Sequence, residues 1–210
     1  MLVKICGIMT NEAADTAVNA GTDFIGFVFT PSKRQITADQ AASIAETVPR
    51  HVKKVGVFVN ETKEKIVAIA EKAKLDYIQL HGDESAEFAA ELPYPIIKAF
   101  PATKDKLSQI KNYPCDYYLI DSPFGKSRGG NGTVFDWMML KELNLDTNKL
   151  ILAGGLTPEN VQQAINLTNP IGVDVSSGVE SEGSKDLRKI SHFIKQAKGK
   201  EDDHDNLYNA

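Results

Sequence analysis

Short apolar runs alternate along this chain with amphipathic stretches. Val3–Ile8, Phe24–Phe29, Lys54–Val59, Tyr77–Leu80, Ile96–Phe100, Tyr117–Asp121, Leu150–Ala153 and Gly172–Val175 each read as a strand. Helical patterns lie between them. Thr10 offers a cap for a helix over Asn11–Ala20. Thr37-Ala38-Asp39-Gln40 is a capping box that opens a helix running to about Thr47. Glu61–Lys74 places Ile66, Ile69, Ala70 and Ala73 on one face, and Glu84–Glu91 reads as a short helix. A weaker helical stretch covers Lys104–Lys111, and Phe135–Leu143 also reads as helix. Thr157-Pro158-Glu159 marks another start, because Thr caps and Pro suits the first helical position. The last helix is expected over Ser184–Lys198, followed by a polar, acidic tail.

Strands that are apolar almost throughout suit a sheet covered on both faces. Roughly eight βα units in sequence predict a single-domain (β/α)₈ TIM barrel over residues 1–198, with 199–210 as a flexible tail. An open doubly wound sheet is the alternative, but no Gly-x-Gly-x-x-Gly turn follows the first strand. In a barrel of this kind the chemistry sits where the strands end.

Composition narrows the reading. The 210 residues carry a formal net charge of -4, and the pI is near 5.6. Nothing there suggests a nucleic-acid face. No stretch is long and apolar enough for a transmembrane helix, and the N-terminal run lacks the pattern of a signal peptide. Two cysteines, Cys6 and Cys115, favour a reduced, cytoplasmic protein over a disulfide framework.

The strand ends hold the candidate chemistry. Gly154 and Gly155 follow strand seven, and Asp174-Val175-Ser176-Ser177-Gly178 closes strand eight. Together these loops look like a phosphate cradle, since glycine lets backbone amides approach an anion. Each loop alone reads equally well as an ordinary turn. Asp174 is expected to order the second loop. Cys6 is either a base with a lowered pKa or, as for most free cysteines, a small buried apolar residue. Lys4, two residues away, faces the same side of the strand. Asp121 ends an apolar strand as either a general acid or a backbone cap. Arg34 offers a fork for a carboxylate, whereas Lys33 reads as a solvated charge. His81 either contacts a substrate or packs. It has no Cys or His neighbour at metal-ligand spacing, so no metal site is expected. The run Glu201-Asp202-Asp203-His204-Asp205 reads as a solvated end.

Taken in order, several segments resemble the phosphoribosylanthranilate isomerase family. They are Lys4-Ile5-Cys6-Gly7-Ile8, the stretch from Gly26-Phe27 to Ser32-Lys33-Arg34, and Gln79-Leu80-His81-Gly82. Gly129-Gly130-Asn131-Gly132 with Phe135-Asp136-Trp137, Leu152-Ala153-Gly154-Gly155-Leu156 and Gly172–Glu180 complete the set. The resemblance spans about residues 3 to 195. It implies a cofactor-free Amadori rearrangement of N-(5-phosphoribosyl)anthranilate in tryptophan biosynthesis. It further implies Asp121 as acid, Cys6 as base and Arg34 at the anthranilate carboxylate, with Gly154, Gly155, Ser176 and Ser177 around the phosphate. The substrate is thus a phosphorylated sugar–anthranilate, and the assembly a monomer or homodimer. Asn131 stands where the family usually has Thr. The rival readings are a histidine-pathway or dual-substrate aminoaldose isomerase and a non-catalytic sensor of phosphate ligands. Cys6 stands where the histidine-pathway enzyme would show Asp, and a sensor would lose the acid or the base.

Overall fold

A computed structural model describes residues 1–123, 135–143 and 145–199 of the chain. The eight expected strands are present: β1 (Leu2–Cys6), β2 (Phe24–Val28), β3 (Lys53–Phe58), β4 (Tyr77–Leu80), β5 (Ile96–Pro101), β6 (Tyr117–Asp121), β7 (Leu150–Leu152) and β8 (Gly172–Val175). They run parallel in sequence order and close on themselves, β1 pairing with both β2 and β8. The barrel expected from the strand pattern is therefore the observed architecture.

Alternation along each strand divides the apolar residues between two cores. Val3 and Ile5 of β1 face the helices, as do Ile25 and Phe27 of β2. Phe24, Val55, Ile97, Leu119 and Ile151 face the axis and fill the barrel. Phe24, Tyr77 and Tyr117 open three alternate strands and meet edge-on or tilted at its base. The residue before each of them is an aspartate. Asp23, Asp76 and Asp116 accept the backbone amides of Val3, Lys54 and Ile96 on the preceding strands, each at 2.8 Å. This repeated device fixes the relative height of neighbouring strands at the closed end.

The helices are α1 (Asn11–Ala20), α2 (Ala38–Thr47), α3 (Lys63–Lys72), α4 (Ala86–Ala90), α5 (Lys104–Leu107), α6 (Val161–Thr168) and α7 (Leu187–Lys198). The Thr10 cap and the Thr37–Gln40 capping box form as expected. Four segments depart from expectation. The stretch after β5 shortens to α5 and a 3-10 turn, and the segment after β6 is 3-10 helix over Trp137–Leu143. The helix after β7 begins at Val161, because Asn160 Oδ1 accepts the Thr157 amide at 2.8 Å and holds Thr157–Asn160 as a turn. Ser184 and Lys185 form not helix but a short antiparallel pair with Glu180 and Ser181, and Asp186 caps the last helix. Side-chain partners across the mouth, absent from any local helical pattern, select that hairpin. The expectations about Asn131 and about the tail beyond Gly199 fall outside the described residues. Among the described residues no helix is long and apolar enough to cross a membrane.

Candidate active site

The C-terminal ends of the strands surround a cavity of about 650 Å³. Every site residue singled out in the sequence lines it: Cys6, Arg34, His81, Asp121, Gly154, Gly155, Asp174, Ser176 and Ser177. Lys33 lines it too and is exposed, in keeping with a solvated charge. Cys115 lies away from it.

On β1 the even positions Lys4 and Cys6 face inward, the side opposite to Val3 and Ile5. Lys4 is 1% exposed. Its ammonium meets Asp174 Oδ1 at 2.9 Å, the two residues being register partners on β1 and β8. Asp174, expected to order the loop after β8, thus holds Lys4. Removing one member of such a buried pair costs roughly 3–5 kcal/mol, because the other charge is stranded.

The expectation of a lowered Cys6 pKa is not met. Burial pushes the thiol above its ordinary value. Lys4 and, more weakly, Lys185 pull it back, while Asp174 adds to the rise. The net direction is upward because burial of the thiol outweighs Lys4, whose charge the Asp174 carboxylate partly neutralises.

Asp121 ends β6 with Oδ1 accepting the Ser122 amide at 2.8 Å. Its Oδ2 lies 3.5 Å from His81 Nε2, which makes no hydrogen bond among the described residues. Gln79 Nε2 sits 3.0 Å from the other ring nitrogen of His81, and Gln79 Oε1 is likewise buried without a partner among the described residues. Gln79 and His81 share the inward face of β4 and its extension. His81 is a candidate from its place at a strand end, whereas the only sign of Gln79 in the sequence is a polar residue inside an apolar strand.

Arg34 reaches the mouth from the loop after β2. Its Nε and Nη2 are taken by Glu180 Oε1 and Oε2, at 2.6 and 2.9 Å. Lys185 Nζ donates to Glu180 Oε1 at 2.7 Å and to the Ser176 carbonyl at 2.8 Å. Glu180 and Lys185 were not foreseen as site residues, since Lys185 was assigned to a helix. Although burial opposes it, hydrogen bonds from Arg34 and Lys185 hold the Glu180 carboxyl below the usual range.

The two glycine-containing loops lie against each other. Gly154 has a φ of 82°, which favours glycine. A side chain on Gly178 would begin 1.8 Å from the Leu156 carbonyl, so only glycine lets the loops meet. Asn160 donates to the Gly155 carbonyl at 2.9 Å, and the Ser176 hydroxyl donates to that of Cys6 at 3.2 Å. Backbone at such turns can present amides to an anion.

Comparison with known proteins matches this geometry to a family. The model of N-(5'phosphoribosyl)anthranilate (PRA) isomerase matches residues 3–196. This chain belongs to the PRA isomerase family. A family member from Oceanobacillus iheyensis, named N-(5'-phosphoribosyl)anthranilate isomerase, is 52% identical over 202 residues, 96% of this chain and 98% of the relative. One of the same name from Listeria monocytogenes is 50% identical, covering 96% of this chain and all of its own length. The solved PRA isomerase of Thermotoga maritima superposes with a TM-score of 0.86 at 40% identity, covering 95% of this chain and 100% of the relative. A further PRA isomerase structure, in complex with reduced 1-(o-carboxyphenylamino)-1-deoxyribulose 5-phosphate, gives 0.83 at 40% identity, with the same two coverages.

Proposed function

We propose that this chain isomerises N-(5'-phosphoribosyl)anthranilate to 1-(2-carboxyphenylamino)-1-deoxyribulose 5-phosphate, without a cofactor, as a step of tryptophan biosynthesis. The observation that carries the reading is the convergence of a thiol, a carboxylate and two anion-suited loops on one cavity in a PRA isomerase family member.

In this reading Asp121 gives a proton to the ribose ring oxygen, and the C1–O bond breaks to leave an open-chain Schiff base. Cys6, as thiolate, takes the proton from C2. The enolamine that results becomes the ketone by moving a proton from the C2 hydroxyl to C1. A thiol with a raised pKa is ionised less often at neutral pH, but each thiolate is a stronger base. Gly154, Gly155, Ser176 and Ser177 bind the phosphate. Arg34 meets the anthranilate carboxylate with the N–H groups that Glu180 leaves free, a guanidinium having five. His81 contacts the substrate beside Asp121. Residues 1–198 form the catalytic unit, 199–210 a polar tail, and the protein works in the cytoplasm as a monomer or homodimer.

The test is the fluorescence decay of phosphoribosylanthranilate generated in situ, with the histidine-pathway aminoaldose assayed in parallel. Conversion of the first alone supports the reading. Conversion of both makes the protein a dual-substrate isomerase. Conversion of neither, with phosphate ligands still bound, favours the sensor.

A further inference from the structure

The layer of side chains that fills the barrel is apolar, and Lys4 interrupts it next to Phe24, its register partner on β2. A buried ion pair is no more stabilising than an apolar pair of similar size, so packing alone gives no reason for Lys4 and Asp174 to be there. Their surroundings supply one. Gly26 is the register partner of Cys6. A side chain built on Gly26 would begin 3.0 Å from Cys6 Sγ and 3.1 Å from Lys4 Nζ. Both atoms therefore crowd over the same bare stretch of β2, and the ammonium stands beside the thiol.

We infer that Lys4 is the positioning residue for Cys6: its ammonium, anchored by Asp174 and admitted by the missing side chain of Gly26, is the cation against which the thiol ionises. This deepens the proposed function and rests on Cys6 being its base. Lys4 is suited to the task because it stays charged. Burial disfavours its ammonium, but Asp174 and Cys6 more than offset that, and its pKa lies above the ordinary value. Among the groups that act on Cys6, Lys4 is the largest opponent of burial, and Asp174 acts against it. The remaining charged neighbours are Lys185, from the hairpin after β8, and Arg34, from the loop after β2, both tied to Glu180.

The arrangement predicts shifts of opposite sign for two members of one ion pair. Removing Lys4 makes Cys6 harder to ionise. Removing the charge of Asp174 frees the ammonium for the thiol and makes Cys6 easier to ionise. A pair whose charges do not reach the thiol would give no such opposition.

The experiment is the rate of iodoacetamide alkylation at Cys6 against pH, read by peptide mass so that Cys115 is scored separately. Burial pushes the Cys115 thiol up to about 11, and the peptide masses keep its alkylation apart from that of Cys6. In Lys4→Met the Cys6 midpoint is expected to rise by about one unit, and kcat/KM at neutral pH to fall about tenfold with the thiolate fraction. In Asp174→Asn the midpoint falls. The double variant Lys4→Met, Asp174→Asn strands no charge, and its midpoint lies above the parent's but below that of Lys4→Met. Should Lys4→Met fail to fold, the other two decide. Unmoved midpoints, or single variants that shift in the same direction, overturn the inference. Turnover by the parent separates the two claims. An inactive parent with the expected shifts sinks the proposed function alone, and an active parent with unmoved midpoints sinks this inference alone.

Discussion

Around the cavity, the β1–β8 side and the β4–β6 side are built differently. On the first, the buried and half-buried charges have charged partners: Lys4 with Asp174, Arg34 and Lys185 with Glu180. On the second, Gln79, His81 and Asp121 make few bonds, and Gln79 Oε1 and His81 Nε2 make none among the described residues. The difference matches the two proposed tasks. A buried thiol becomes a base only if nearby cations are fixed in place, since ionisation in a dry site needs a preorganised countercharge. A carboxyl that gives up its proton gains nothing from a tightly held cation, which would keep it ionised. The loosely bonded side leaves capacity for contacts with substrate oxygen and nitrogen atoms.

The largest expected effects test whether both sides are needed. Cys6→Ser and Asp121→Asn should each lower kcat roughly 10²–10⁴-fold, while a product analogue still binds. Full activity in either variant, in the fluorescence assay, would remove that side from the chemistry. Next is Gly178→Ala, where the new methyl must displace the Leu156 backbone. A loss of about 1–3 kcal/mol in thermal unfolding and a higher KM are expected, the cost of overpacking. An unchanged KM would separate these loops from phosphate binding.

Glu180→Gln sharpens the comparison from the paired side. It should raise KM about tenfold with kcat nearly kept, because Arg34 loses a charge-assisted anchor of about 1.4 kcal/mol. The same carboxyl gives a pH signature. Its folded-state pKa is lowered, so the stability it contributes is present above its unfolded value and lost as pH falls through the lower folded one. Parent and Glu180→Gln melting temperatures should therefore converge in acid. Smallest is Gln79→Leu, which removes a half-satisfied amide and should change kcat by about threefold through His81. A loss as large as that of Asp121→Asn would mean that the β4 side is as tightly organised as the other.

The strand order and nearly all candidate residues were legible in the sequence because short, nearly continuous apolar runs and the residues that end them are local signals. Thr37–Gln40 and Thr10 were readable for the same reason. What escaped depended on residues far apart in the chain. Ser184 and Lys185 looked helical, yet Lys185 is drawn to Ser176 and Glu180 across a short hairpin. Arg34 looked free for a ligand, yet Glu180, 146 residues later, holds it. The raised pKa of Cys6 depends on burial and on Asp174, neither visible beside Lys4 in the sequence.

By itself, then, the sequence determined the (β/α)₈ architecture, the end of the barrel where the candidate residues gather and the residue types that line it, because those follow from the succession of apolar runs and helical patterns and from the ends of the runs. Only the tertiary structure decided which charges meet. Barrel closure sets β1 against β8, and pair energies in a dry interior depend on distances of a few ångströms that no spacing along the chain encodes.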